Sequence, residues 1–237
     1  MNKDMKNMLA EFSVKPDPMR KDRFMREIRS KHPQPHIPTA DLILRQLPYI
    51  NKWVWILSLL ALLIAILGIQ ANREIVYLIS ALMPFVSGIA VFESFRSRMY
   101  GMSEPEGVTH LSLRGVLFAR IICVGTAHIL ILSALAVILG KHSGYGFLMT
   151  GAMLTIPYLL SSILSMELER TAFGRKNGFS CMVISAGVSV LMFVLQNERN
   201  LYAEAYRGIW YLSAITLMVI EWFEIKKMFQ MEEYAWN

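Results

Sequence analysis

Six stretches of the chain are long and apolar enough, or nearly so, to cross a lipid bilayer as helices, and nothing else in the sequence constrains the fold as strongly. A hydrocarbon core about 30 Å thick takes roughly 20 apolar residues in a helix. Inside it every amide must be bonded within the protein, which leaves helices or closed barrels. The stretches are residues 53–71 (WVWILSLLALLIAILGIQA), 75–92 (IVYLISALMPFVSGIAVF), 116–139, 147–166, 179–195 and 209–223; the fifth is the shortest of the first five and the sixth is marginal in length. Composition agrees: 54% of the 237 residues are hydrophobic and 18% are charged, where a soluble domain carries about a quarter charged. That balance excludes a disordered chain, a disulfide scaffold and an ordinary soluble enzyme. The expected fold class is all-α, a polytopic membrane protein of six transmembrane helices with an N-terminal interfacial helix.

Positive charge sets the expected orientation, because Lys and Arg are retained on the cytoplasmic side. Of the 24 Lys and Arg residues, 20 fall in residues 1–52, 94–120 and 167–178 and in the tail; Arg73, Lys141, Arg199 and Arg207 fall in the intervening connections. The chain is therefore expected in the plasma (inner) membrane, multi-pass, with both termini cytoplasmic. More than fifty mostly polar residues precede the first apolar run, so residues 53–71 read as a signal-anchor and not as a cleaved leader.

Four regions are expected: a basic cytoplasmic arm (1–38), an amphipathic helix (39–52), a six-span transmembrane domain (53–227) and a cytoplasmic tail (228–237). In the arm, Met5, Met8, Leu9 and Phe12 sit at helical spacing, and Asp17-Pro18 can open a second helix whose apolar stripe of Phe24, Met25 and Ile28 is flanked by arginines. Such a basic amphipathic helix lies on anionic lipid or docks on an acidic protein; a solvated arm is the plainer alternative. The proline-rich residues 31–38 read as a semi-rigid linker. Thr39 caps a short helix over 39–50 with Ile43, Leu47 and Ile50 on one side, and Trp53 and Trp55 anchor at headgroup level. Between the second and third spans, Ser103 and Glu106 have capping-box spacing, which suggests a short cytoplasmic helix in place of a plain polar loop. Pro84 and Pro157, near the middles of the second and fourth spans, give a faint internal repeat. The fifth span is rich in small residues (Ser180, Cys181, Ser185, Ala186, Gly187, Ser189), which fits a packed helix–helix or subunit interface.

Polar groups inside a bilayer are costly and so single themselves out. They are Glu93, Arg120, His128, Glu167 and Glu221. His128 is the deepest, and it either lines a pathway or is a neutral imidazole satisfied by a neighbouring helix. Arg120 can snorkel to phosphate. Glu93, Glu167 and Glu221 end the second, fourth and sixth spans, where they pair with Arg96, Arg98, Arg120 or Arg170 or sit half in water. Cys123 and Cys181 lie inside spans without metal or disulfide spacing and read as small packing residues. There is no Walker A, GxSxG, HExxH or CxxC sequence. No catalytic, cofactor-binding or metal-ligating residue is therefore assigned, and the chain is not expected to be an enzyme. A nucleic-acid partner is not expected either, since the arm has few aromatics and no reading motif.

The layout of a pre-span amphipathic helix, six spans, both ends inside and a short helix between spans two and three resembles the membrane subunit of type-2 ABC exporters. The resemblance covers about residues 39–227. It implies an elbow helix at 39–50 and an ATPase-docking loop at 95–114 carrying Arg96, Arg98, Glu104, Glu106 and Arg114. It also implies an ABC ATPase partner and a second membrane subunit in a homodimer or heterodimer within the bilayer. The family's re-entrant helices between spans five and six have no counterpart in the short, polar residues 196–208. The stretches LPYINKWVW (47–55) and FESFRSRMYGM (92–102) are also similar to membrane proteins of Gram-positive bacteria that accompany ABC exporters and sigma factors. That likeness implies an alternative, a membrane-tethered anti-sigma or regulatory protein whose arm, residues 1–38, binds a sigma factor.

Overall fold

The computed structural model describes residues 19, 23, 47–69, 75–99, 113–171, 174, 179–195 and 204–234; the side chains of residues 96–99, 113–117 and 228–234 are outside that description. The chain divides into two units, Met1–Ile37 and Pro38–Asn237. In the first, Met19 and Arg23 are helical and exposed.

The described residues of the second unit are almost all helical, with short turns between helices and no strand among them. Its helices are α1 (Lys52–Ile69), α2 (Ile75–Met99), α3 (Leu113–Ser143), α4 (Phe147–Arg170), α5 (Ser180–Leu195) and α6 (Arg207–Tyr234). Five segments are long and apolar enough to cross a membrane: Lys52–Ile69, Ile75–Phe95, Phe118–Ser143, Phe147–Arg170 and Glu204–Lys227. The chain is accordingly a multi-pass, all-helical membrane protein. The apolar run that looked marginal in the sequence is part of the 28-residue α6, which continues through Tyr234. The short one is α5, whose 16 residues rise about 24 Å. Of the expected interfacial helix, Leu47–Tyr49 forms a 3-10 turn and Ile50 is buried; residues 39–46 lie outside the described residues, as do Glu104, Glu106 and the helix expected around them.

The packing of α1 is inverted relative to a helix of a soluble protein. On α1 the buried face is Val54, Ser58, Ala61 and Ala65, while Leu59, Leu63, Ile66 and Leu67 point outward. Lipid is as apolar as leucine, so nothing drives large side chains inward, and small residues let helices approach closely. Asn51 caps α1: its side-chain oxygen accepts from the Trp53 amide at 3.2 Å, and its own amide donates to Glu93 Oε1 at 3.2 Å, tying α1 to α2.

Helices α2 and α4 are central and pack closely on each other, and α5 packs on both. The small residues of α5 serve this internal contact. An added Cβ on Gly88 of α2 would come within 2.0 Å of Ser185 Oγ, so that crossing needs glycine. Around Pro84, whose ring disrupts the helical hydrogen-bond ladder, neighbouring hydroxyls supply donors: Ser189 to the Ala81 carbonyl (2.6 Å) and Ser161 to the Pro84 carbonyl (3.1 Å). The connection from α3 to α4 turns through Gly144 and Gly146, both at φ near +80°. Helices α3 and α6 each pack on α4 and flank a groove floored by it.

Candidate functional site

A run of hydrogen-bonded polar side chains joins α1, α3 and α4 where they converge. Ser58 donates to the Val54 carbonyl at 2.8 Å, which uses its one proton. Its oxygen can then only accept, and it lies 3.2 Å from His128 Nε2. His128 Nδ1 is 2.9 Å from the Tyr158 hydroxyl, and the two rings meet edge-to-face with centroids 5.7 Å apart. The arrangement closes as one directed chain, from Tyr158 O–H to Nδ1, from Nε2–H to Ser58 and from Ser58 to the α1 backbone. A neutral imidazole completes it with every proton used. Of the two readings of His128, its contacts are those of a ring held by neighbouring helices on both sides.

Beside this chain lies a cavity of about 180 Å³ between α2, α3, α4 and α6. His128, Tyr158, Ser162, Glu221 and Ser94, whose hydroxyl donates to the Ala90 carbonyl at 2.9 Å, supply its ionisable and hydrogen-bonding walls, with Gly125, Val124 and Met166 among its apolar ones. Ser162 donates to Glu221 Oε1 at 2.6 Å. Glu221 Oε2 is buried and has no hydrogen-bond partner. No Lys or Arg lines the cavity. Ile129 and Leu132 also line the apolar groove of about 490 Å³ between α3 and α6, so cavity and groove adjoin.

A separate ionic cluster fastens α4 to α6. Arg170 pairs with Glu224, with Glu167 at 3.0 Å and with the Glu224 carbonyl at 2.9 Å. Lys227 reaches Glu167 at 3.4 Å.

The residues singled out from sequence are thus dispersed. Glu221 and His128 share the cavity. Glu93 is buried where α1 meets α2, holding Asn51. Arg120 is buried in α3 instead of extending to a surface. Glu167 is half exposed, and the buried carboxylate of that helix end is Glu169, 2% exposed, which accepts from Cys181 Sγ at 3.3 Å and from Ser180 at 3.4 Å. Arg96 and Arg98 fall in the last turns of α2 and Arg114 in the first turn of α3, with side chains outside the described residues. Tyr158, Ser162 and Glu169 were not singled out. Their signal was present: with Ser165 they recur at steps of four, three and four along α4, one polar helical face in an apolar helix. Among the described residues no group of three or more His, Cys, Asp or Glu is gathered as a metal site would require.

No protein-family model, no curated protein and no solved structure matches the chain. The functional reading therefore rests on these residues and their geometry.

Proposed function

We propose that the chain is the membrane-spanning subunit of an ABC-type exporter, moving a substrate outward when coupled to a separate ATPase. The observation that supports this best is the cavity between α2, α3, α4 and α6, with Glu221 in its wall. Carboxylates inside a membrane are expensive and are retained where a substrate or ion is handled. The sequence has no phosphate-cradling loop, so hydrolysis falls to a partner. In this reading the short α5 also crosses, as the fifth of six spans, and the bias of 20 among 24 Lys and Arg keeps both termini on the cytoplasmic side of the plasma membrane. The ATPase docks on residues 95–114 through Glu104 and Glu106, and a second membrane subunit, identical or homologous, completes the path.

Purification of the full chain from its native membrane in mild detergent tests the reading. An ATPase subunit should co-elute with the natural sequence and be released by Glu104→Lys with Glu106→Lys. Absence of any ATPase from the unaltered complex would sink it.

A second reading, a membrane-tethered anti-sigma factor, is favoured by the division of the chain into Met1–Ile37 and Pro38–Asn237. Deleting residues 1–38 should then abolish co-purification of a sigma factor and leave ATPase recovery unchanged; a full chain that brings down no sigma factor excludes it.

A further inference from the structure

We infer that the cavity and the adjoining groove together form a binding site for a lipophilic amine, with its ammonium on Glu221 and its apolar chain between α3 and α6. Two observations carry this, one for each end of the ligand.

The polar end is a carboxylate half satisfied. Glu221 Oε1 takes the Ser162 proton, whereas Oε2 is buried and has no donor. A buried acceptor without a donor is destabilising, and more so if charged. The surroundings leave the charge unmatched as well. Glu224, one turn further along α6, is held by Arg170 and Lys227. Among the described residues no ion pair involves Glu221. The other ionisable groups on the wall do not compensate, because the His128 nitrogens face Ser58 and Tyr158. A cationic N–H donor supplies both missing things, a hydrogen bond and a countercharge. An anionic head would meet repulsion there, and a neutral hydroxyl would supply only the bond.

The apolar end is the groove. Ala136, Phe147, Gly151, Tyr211, Ala214 and Met218 contribute to its walls, and small residues on α4 keep it open. It continues from the cavity past Ile129 and Leu132. Ten residues of α6 separate Glu221 from Tyr211, a rise of about 15 Å, the span of a dodecyl chain. The volume of the groove, about 490 Å³, falls in the usual range for small-molecule sites. One polar end and one long apolar end on the same helix match an amphiphile with a basic head. Describing this amine as the exported substrate rests on the transport reading above; the binding itself does not.

The test uses the full chain in phosphatidylcholine nanodiscs, without ATP or ATPase, and measures saturable binding of radiolabelled dodecylamine above empty discs. Dodecanol and dodecanoate serve as the neutral and anionic counterparts. Dodecylamine should saturate near one per chain and bind at least about tenfold more tightly than dodecanol, the ratio expected for a charged over a neutral hydrogen bond. Dodecanoate should not saturate. Glu221→Gln keeps a polar partner for Ser162 and should lower amine affinity about tenfold while leaving dodecanol unchanged. Gly151→Phe, which fills the groove, should weaken amine and alcohol alike. Equal binding of amine and alcohol, an unaltered affinity in Glu221→Gln, or no saturable binding overturns the inference. Should Glu221→Gln fail gel filtration, the amine-to-alcohol ratio on the unaltered chain decides. A negative result leaves the exporter reading to be judged by ATPase co-purification.

Discussion

The Ser162 hydroxyl on α4 donates to Glu221 Oε1 on α6 across 2.6 Å, and Arg170 joins the same two helices further along through Glu224. Between residues 204 and 227 Ala214 is the one buried side chain. Helix α6 is thus fastened to α4 by these polar attachments together with an apolar cluster that includes Ala152, Ile156 and Ala214, while α2, α4 and α5 interlock through small residues and hydroxyls. The groove between α3 and α6 exists because α6 leans on α4 alone for most of its packing.

The Arg170–Glu224 attachment should dominate the ionic cluster. Both side chains are close to buried, at 10% and 12% exposure, so removing the cation strands a desolvated carboxylate. Arg170→Gln should destabilise the protein by about 3 kcal/mol. Lys227→Gln, at 55% exposure, should cost under about 1 kcal/mol. Thermal unfolding in one detergent compares them; equal losses would show that the cluster acts as a surface network.

The hydrogen-bonded chain through His128 should behave as a unit. Tyr158→Phe removes the proton given to Nδ1 and should cost about 1 kcal/mol. His128→Leu leaves both Tyr158 and Ser58 without their partner and should cost about 2 kcal/mol. The double variant should fall short of the sum by about 1 kcal/mol, because the same bond is lost once. Strict additivity of the three midpoints would mean the bond contributes nothing.

The α2–α5 crossing should not tolerate a methyl group on Gly88. Its Cβ would lie 2.0 Å from Ser185 Oγ and 3.2 Å from Ser185 Cβ. Gly88→Ala should destabilise by about 1–3 kcal/mol. Adding Ser185→Ala removes the nearer atom and should recover part of that loss. No recovery in the double variant would place the strain in the backbone instead.

The charge bias predicts which connections face outward. A cysteine at Gly144, between α3 and α4, should react with an impermeant maleimide on intact cells, whereas one at Thr171, after α4, should not. Cys123 and Cys181 are buried and should give little background. The opposite labelling pattern would invert the orientation and every cytoplasmic contact proposed from it.

Much of this architecture was written in the one-dimensional pattern. Long apolar runs separated by charged or glycine-bearing connections locate the helices, because a membrane leaves a chain few alternatives. The depth of His128 and the apolar setting of Glu221 follow from counting residues along their helices. Neither residue's partner does. The same counting treated Glu167 as the carboxylate that ends the fourth span, yet it is Glu169 that turns inward, to Ser180 and Cys181. Two residues along a helix is a rotation of about 200°, and hydropathy averaged over a span is blind to rotation.

What the sequence determined by itself is membership of the membrane: which segments are helical, roughly where they start, and which few polar side chains they carry inside. Only the tertiary structure decided which faces meet, that α6 leans on α4 and leaves a groove beside α3, and that Tyr158 and Ser162 bring His128 and Glu221 to one cavity. The physical reason is that lipid-facing and protein-facing sides are both apolar here. Segment-wide transfer energy therefore selects the helices, while close packing of small residues and the pairing of buried polar groups select the arrangement.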